Sequence, residues 1–263
     1  MTSPENTIQK FWDDRARQFG HTGWSDPFIY NFDQTARLQS LSSILAGTSL
    51  QTHLALDFGC GTGDFANMLA GHFDRVIGFD ISPEVARLAE KRSRRRNVQF
   101  VAGPGIEALQ LPDHSLDLVI SVTVLQHILE PAVLLKTLRA IAGKLKPGGV
   151  FVCLESTPLQ ESQPSAYVFF RTKDQWESSF KAAGLPVECR YGFYHPTDAP
   201  SASFTRYYSG GIGRRLRRKA RYILVRQVYS AFGKFCVRAA SDCHWEGRPD
   251  DLMSIYVCRK PTA

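Results

Sequence analysis

Asp57-Phe58-Gly59-Cys60-Gly61-Thr62-Gly63 sets an acid ahead of three glycines at alternate positions. His53-Leu54-Ala55-Leu56 before it is apolar enough for a buried strand. Asp64-Phe65-Ala66-Asn67-Met68-Leu69-Ala70 after it has helical spacing, with Phe65, Met68 and Leu69 facing inward. The glycines therefore belong to a strand-to-helix turn. Positive φ is sterically cheap there without a Cβ, and bare backbone lets a nucleotide-like ligand approach the amides of a helix N-terminus. The dinucleotide fingerprint Gly-x-Gly-x-x-Gly wants its third glycine at position 64, but Asp64 stands there and the third glycine is at 63. A glycine turn built for a pyrophosphate relies on helix amides, whereas Asp57 offers a carboxylate to a cationic ligand group.

The next strand, Arg75-Val76-Ile77-Gly78-Phe79-Asp80, ends in an acid 19 positions after Gly61. A ribose-binding carboxylate at a second-strand tip belongs at that spacing, where it can accept from both ribose hydroxyls. Asn97-Val98-Gln99-Phe100-Val101-Ala102 reads as strand three. Leu116-Asp117-Leu118-Val119-Ile120-Ser121 reads as strand four, entered by the turn Leu111-Pro112-Asp113-His114-Ser115. With these residues in view, the chain resembles the class I S-adenosylmethionine-dependent methyltransferases of small-molecule type over about residues 50–155. Val124-Leu125-Gln126-His127-Ile128 looks like the family's segment after strand four, and Lys146-Pro147-Gly148-Gly149-Val150-Phe151 like its turn into strand five.

The resemblance implies an α/β fold: a Rossmann-like seven-stranded sheet, mostly parallel with its last strand antiparallel, and helices on both faces. S-adenosylmethionine is the implied methyl donor and S-adenosylhomocysteine the product. Asp57, Gly59, Gly61 and Gly63 are expected around the methionyl part, with Cys60 inside the loop as a small apolar neighbour. Asp80 and Ile81 are expected at the ribose, and Ser121 and Val122 beside the sulfonium. The family usually places an acid after strand three to receive the adenine amino group, but here Gly103-Pro104-Gly105-Ile106-Glu107 follows. Pro104 has neither carboxylate nor amide hydrogen, so Gly105, Ile106 or Glu107 must read adenine instead.

Residues 1–50 form a lid with helical patterning: Ile8, Phe11, Trp12, Ala16 and Phe19 recur at three- and four-residue intervals. By the same resemblance, Trp12 or Phe11 touches the methionine end of the cofactor and Arg15 its carboxylate; simple packing on the core is the competing reading. Gly20-His21-Thr22-Gly23-Trp24-Ser25-Asp26-Pro27 follows as a loop suited to covering substrate. The core is expected over 51–194, a basic insertion over 195–252 and the final core strand over 253–263. Lys173 to Gly184 reads as a helix capped by Asp174 and ended by Gly184, followed by strands through Val187-Glu188-Cys189-Arg190-Tyr191 and Met253-Ser254-Ile255-Tyr256-Val257-Cys258. About sixty residues separate those two strands, far more than an ordinary hairpin needs.

Charge is concentrated in that insertion. Arg206 to Arg238 holds eight arginines and two lysines, and no acid lies between Asp198 and Asp242, while the whole chain is only +7. Leu216, Ala220, Leu224, Val228, Phe232 and Phe235 run between the cations as an apolar stripe. Such a segment suits an anionic membrane surface through residues 206–240, a lipid-linked or acidic acceptor, or a solvated helix packed on the core. No recognisable RNA-binding module accompanies it, so nucleic acid is not the expected partner. The six cysteines show no Cys-x-x-Cys pair, so neither a metal site nor a disulfide framework is expected. No apolar run reaches membrane-spanning length and no export signal opens the chain. A cytoplasmic protein, associated with the cytoplasmic face of a membrane through the basic segment, is the expectation.

Methyl transfer to an alcohol needs a base, and His127 after strand four is the first candidate, with His195 in Tyr194-His195-Pro196 the second. The expected activity is O-methylation of a small-molecule, saccharide or lipid-linked acceptor. An RNA methyltransferase and a non-catalytic S-adenosylmethionine-binding regulatory module are the alternatives.

Overall fold

The computed structural model describes residues 4–23, 27–193 and 251–262, with Ala231 alone between the last two stretches. Two helices lead in, α1 (Pro4–Phe19) and α2 (Pro27–Ala46), as the helical patterning predicts. The core follows as β1 (Leu54–Phe58), α3 (Asp64–Leu69), β2 (Arg75–Asp80), α4 (Pro83–Arg92), β3 (Val98–Ala102) and β4 (Leu116–Val122). Then come α5 (Pro131–Lys144), β5 (Leu145–Ser156), a hairpin of β6 (Ser162–Ser165) and β7 (Val168–Phe170), α6 (Lys173–Ala182), β8 (Val187–Phe193) and β9 (Met253–Arg259).

Seven of these strands form one sheet in the order β3-β2-β1-β4-β5-β9-β8. β1 to β5 run parallel, and β9 lies antiparallel between β5 and β8. Because side chains alternate across a strand, neighbouring residues feed opposite faces. Leu118, Ile120 and Val122 of β4 and Val150, Val152 and Leu154 of β5 meet Phe32, Ala36 and Leu41 of α2 and Phe65 and Leu69 of α3. Val119, Phe151, Cys153 and Tyr256 meet Leu134, Leu138 and Ile141 of α5 and Trp176 and Phe180 of α6 on the other face. Helices thus cover both sides, and each fully buried Leu or Phe contributes about 1.5–3 kcal/mol relative to exposure.

Several local expectations change. β1 runs on through Asp57 and Phe58, paired to Gly78 and Phe79, so the acid ends a strand instead of opening the loop. Lys146-Pro147-Gly148-Gly149 lies within β5 as an irregularity in its pairing with β4, with Gly148 at φ 76. Asp174 does not cap α6. Thr172 does, accepting from the Gln175 amide while the Gln175 side chain accepts from the Thr172 amide, a reciprocal pair that leaves Asp174 in the first turn. The β6–β7 hairpin lies in a stretch where the sequence pattern marks no element. His195 and nearly all of the basic segment 195–252, like Trp24 to Asp26 of the lid loop, lie outside the described residues.

Candidate active site

Strand order reverses direction between β1 and β4, so a crevice opens beyond their carboxyl ends, where open α/β sheets take their ligands. The glycine loop leaves β1 there and the segment 123–129 leaves β4. Gly59 is at φ 79, and a Cβ on it would overlap the Val124 side chain. Gly63 is at φ 82 with the Phe100 ring 2.8 Å from where a Cβ would stand. Both positions need glycine for backbone and for space, and the loop packs against protein on these sides. Cys60 is buried, and burial pushes its thiol up, in keeping with a small packed group.

Asp80 fixes the loop. Its carboxylate accepts from Gly61 N at 3.0 Å and Ser82 N at 3.0 Å, and the Ile81 amide also stabilises its charge. Burial nevertheless raises it to about 6. Asp57 is buried deeper, at 1 % exposure, and burial together with the nearby charges of Asp80 and Asp64 raises it to about 8. One oxygen, Oδ2, has no hydrogen-bond partner, and neither has the buried hydroxyl of Ser121, which pairs with Phe58 next along the register. Two unsatisfied acceptors at a switch point, beside a carboxylate with further lone pairs, suit a ligand carrying an ammonium and hydroxyl groups.

After β3, Gly105 precedes the 3₁₀ turn Ile106–Leu109. Ile106 is buried among apolar side chains, whereas Glu107 is exposed and turns toward Lys136 at 3.8 Å. Val122 is buried at the end of β4.

α1 and α2 are tied down over this floor. Tyr30 of α2 reaches Thr62 Oγ1 and Asp64 Oδ2, both at 3.2 Å, and Gln34 donates to the same Asp64 oxygen at 3.1 Å. Its ring stacks on His21, centroids 3.9 Å apart. Asp13 of α1 accepts from the Ser82 hydroxyl at the start of α4. Arg15 is engaged by the lid itself, donating to the carbonyls of Thr22 and Gly23 and lying over the Phe19 ring. None of Asp13, Tyr30 or Gln34 stands out in the sequence as a site residue, because only the packing of α1 and α2 brings them to the loop.

His127 follows β4 in a short 3₁₀ turn, Leu125–His127. Its Nδ1 lies 2.7 Å from the Tyr167 carbonyl at the hairpin tip. A carbonyl only accepts, so the neutral ring carries its proton on Nδ1 and keeps a lone pair on Nε2. Burial lowers the imidazole's pKa, with the Tyr167 and Thr123 carbonyls opposing, so the neutral form is favoured. Trp12 packs edge-on to the ring at 4.9 Å, and Phe11 stacks on Tyr167 at 4.5 Å. Lid, hairpin and post-β4 segment thus form an aromatic wall beside the glycine loop. Thr123, at φ 56, starts the segment in the left-handed region, a conformation that costs a non-glycine residue of order 1–3 kcal/mol and collects at functional sites. Its hydroxyl accepts from Arg37, itself held by Asp33 at 2.7 Å on α2.

A glycine turn and an acid thus stand at successive strand ends beside the switch point of a 3-2-1-4-5 sheet. Residues 56–153 match the family described as a methyltransferase domain. Among curated proteins, the methyltransferase tpcM of Aspergillus fumigatus is 32% identical over 128 residues, covering 49% of this chain and 37% of that protein. The demethylmenaquinone methyltransferase of Staphylococcus saprophyticus is 36% identical over 121 residues, 44% of this chain and 47% of that protein. The chain spans about half the length, or less, of the curated relatives it matches. A putative methyltransferase of Haloferax volcanii, solved with an activator, shares the fold with a TM-score of 0.62 at 19% identity, covering 95% of this chain and 97% of that one. A Haemonchus contortus phosphoethanolamine N-methyltransferase, solved with S-adenosylhomocysteine, gives 0.60 at 16% identity, covering 97% of this chain and 60% of that one. Residues 56–153 thus carry a methyltransferase domain, and the chain shares the fold of solved S-adenosylmethionine-dependent methyltransferases.

Glu155 and Arg171 also belong to this region. For Glu155 an acid closing the apolar run Val150-Phe151-Val152-Cys153-Leu154 is a usable sequence signal; for Arg171 there is none.

Proposed function

We propose that this chain methylates a hydroxyl oxygen of a small-molecule acceptor, with His127 as the general base. The observation that carries the reading is the Nδ1 bond from His127 to the Tyr167 carbonyl, which puts the neutral ring's proton on Nδ1 and its lone pair on Nε2. Bound S-adenosylmethionine supplies a methyl group already activated on a sulfonium. Asp57 and Ser121 offer acceptors to its methionyl end and Asp80 to its ribose, while Gly105 and Ile106 border the adenine. The aromatic wall of Phe11, Trp12 and Tyr167 excludes water and holds the acceptor against Nε2, which takes the hydroxyl proton. Orientation then supplies much of the rate. A small apolar or ring-bearing acceptor suits that wall, and the curated relative named for demethylmenaquinone supports the same class.

The cationic composition of residues 206–240 supports an acceptor, or a surface, that is anionic. Among the described residues no helix is long and apolar enough to cross a membrane. Flotation with anionic liposomes, with and without residues 206–240, tests this part; equal recovery of both proteins in the unbound fraction would remove it.

Methyl transfer from labelled cofactor to fractionated metabolites, with the product's methylated atom identified, tests the activity. His127→Ala is expected to lower kcat by roughly 10²–10⁴-fold with cofactor affinity retained. Asp80→Ala is expected to weaken cofactor binding by about tenfold or more in calorimetry. A product methylated on carbon or nitrogen, or full turnover in His127→Ala, would overturn the base assignment.

A further inference from the structure

Segment 124–129 is gripped from both sides by buried charges. Thr123 in the left-handed region, followed by Val124 at φ −107 and ψ −46, turns successive amides toward one point. Such a concavity of N–H groups binds an anion. Here the chain supplies its own: the Glu155 carboxylate, fully buried at the end of β5, accepts from Val124 N at 3.1 Å, Leu125 N at 2.9 Å and Gln126 N at 3.2 Å. On the carbonyl side, Arg171 Nη2 donates to Ile128 O at 2.7 Å and Leu129 O at 3.0 Å. Arg171 is 4 % exposed and wedged between the rings of Phe169 and Trp176, 4.9 and 5.2 Å away. His127 is the residue left between the two grips.

We infer that Glu155 and Arg171 are positioning residues for His127, fixing the backbone on either side of it so that Nδ1 meets the Tyr167 carbonyl and the lone pair stays on Nε2. Apolar packing does not explain the arrangement: only Leu125 of the segment is fully buried, and one leucine does not set the orientation of an imidazole two residues on. Stability does not explain it either, since burying a carboxylate and a guanidinium costs more than filling the same space with apolar side chains. What charges with several hydrogen bonds supply is a single backbone conformation. A glutamine at 155 would keep one acceptor oxygen and turn an amide N–H₂ against backbone donors.

The inference rests on the base assignment for its relevance to catalysis, so its test has a readout that does not depend on activity. Nitrogen-correlated NMR on the full chain reports the tautomer and titration of His127. In Glu155→Gln the ring is expected to move from a single Nδ1–H tautomer toward a mixture, with its titration returning toward the ordinary imidazole value. Cofactor affinity should stay within about twofold, and kcat should fall by up to about 100-fold, as small misplacements of a reacting group do. Arg171→Lys, which keeps the charge but loses the two-carbonyl fork, is expected to act in the same direction, and it carries the measurement if Glu155→Gln does not fold. A His127 tautomer and titration unchanged in the folded variants would overturn the inference. Movement of both, alongside a fully active His127→Ala, would leave the positioning role standing and remove the base assignment instead.

Discussion

Asp57 shows what burial does to a residue that the sequence marks only as an acid before glycines. In the unfolded chain its carboxyl titrates near 3.8, and in the fold it is raised to about 8. Above its unfolded value the unfolded chain releases the proton that the native state keeps, so native stability falls as pH rises until Asp57 itself ionises near 8. His127, lowered from 6.5, acts in the opposite sense below that value, and Asp80 has ionised by about 6. The interval from 6.5 to about 8 therefore isolates Asp57. Thermal unfolding across it is expected to show a falling midpoint, with Asp57→Asn flattening the slope by up to ~1.4 kcal/mol per pH unit. An identical slope in the variant would mean that Asp57 is ionised in the native state. Ligand that brings an ammonium to the orphaned Oδ2 should lower the Asp57 pKa, which ties this residue's stability cost to the binding role proposed for it.

Among the elements, α6 separates two readings of one sequence. Asp174 and Thr172 are both acceptable caps by residue type, and the choice falls to Thr172 because its backbone is extended at φ −67 and ψ 166 and its hydroxyl meets the Gln175 amide at 3.3 Å. Thr172→Ala is expected to cost about 1 kcal/mol in urea unfolding. Asp174→Ala should stay within about 0.5 kcal/mol. Comparable losses would return the cap to Asp174. The β6–β7 hairpin was illegible for a related reason: Ser162 to Ser165 is exposed and polar throughout, so it shows no alternation of burial. The hairpin is set by its neighbours, with Phe11 stacked on Tyr167 and His127 bonded to the Tyr167 carbonyl.

For the whole molecule, the decisive feature is that β9, encoded at the far end of the chain, fills the gap between β5 and β8. Met253 to Cys258 are all buried, and Ile255 and Val257 serve one face of the core while Tyr256 and Cys258 serve the other. Removing residues 251–263 would leave β5 and β8 with unpaired edges and both layers open. Such a truncation is expected to lose the cooperative unfolding transition in calorimetry, whereas deletion within 206–240 should keep it. A cooperative transition in the truncated chain would show that the sheet closes without β9.

Sequence by itself marked the core strands, the glycine turn, the acid at the tip of β2 and a strand over 253–258, because each is written in local periodicity or in short fixed spacings that strand and helix geometry impose. The fold class followed from a resemblance, and the sheet position of β9 from the structure. Sequence also marked His127 by position. Only the tertiary structure decided which of these groups are unsatisfied, which are raised or lowered, and what holds His127 still. Asp57 becomes a late-titrating acid through burial, Asp13 and Tyr30 join the loop only when the lid packs, and Glu155 and Arg171 find segment 124–129 across distances the chain order does not encode. Those properties depend on desolvation and on contacts between remote residues, which exist only once the layers close.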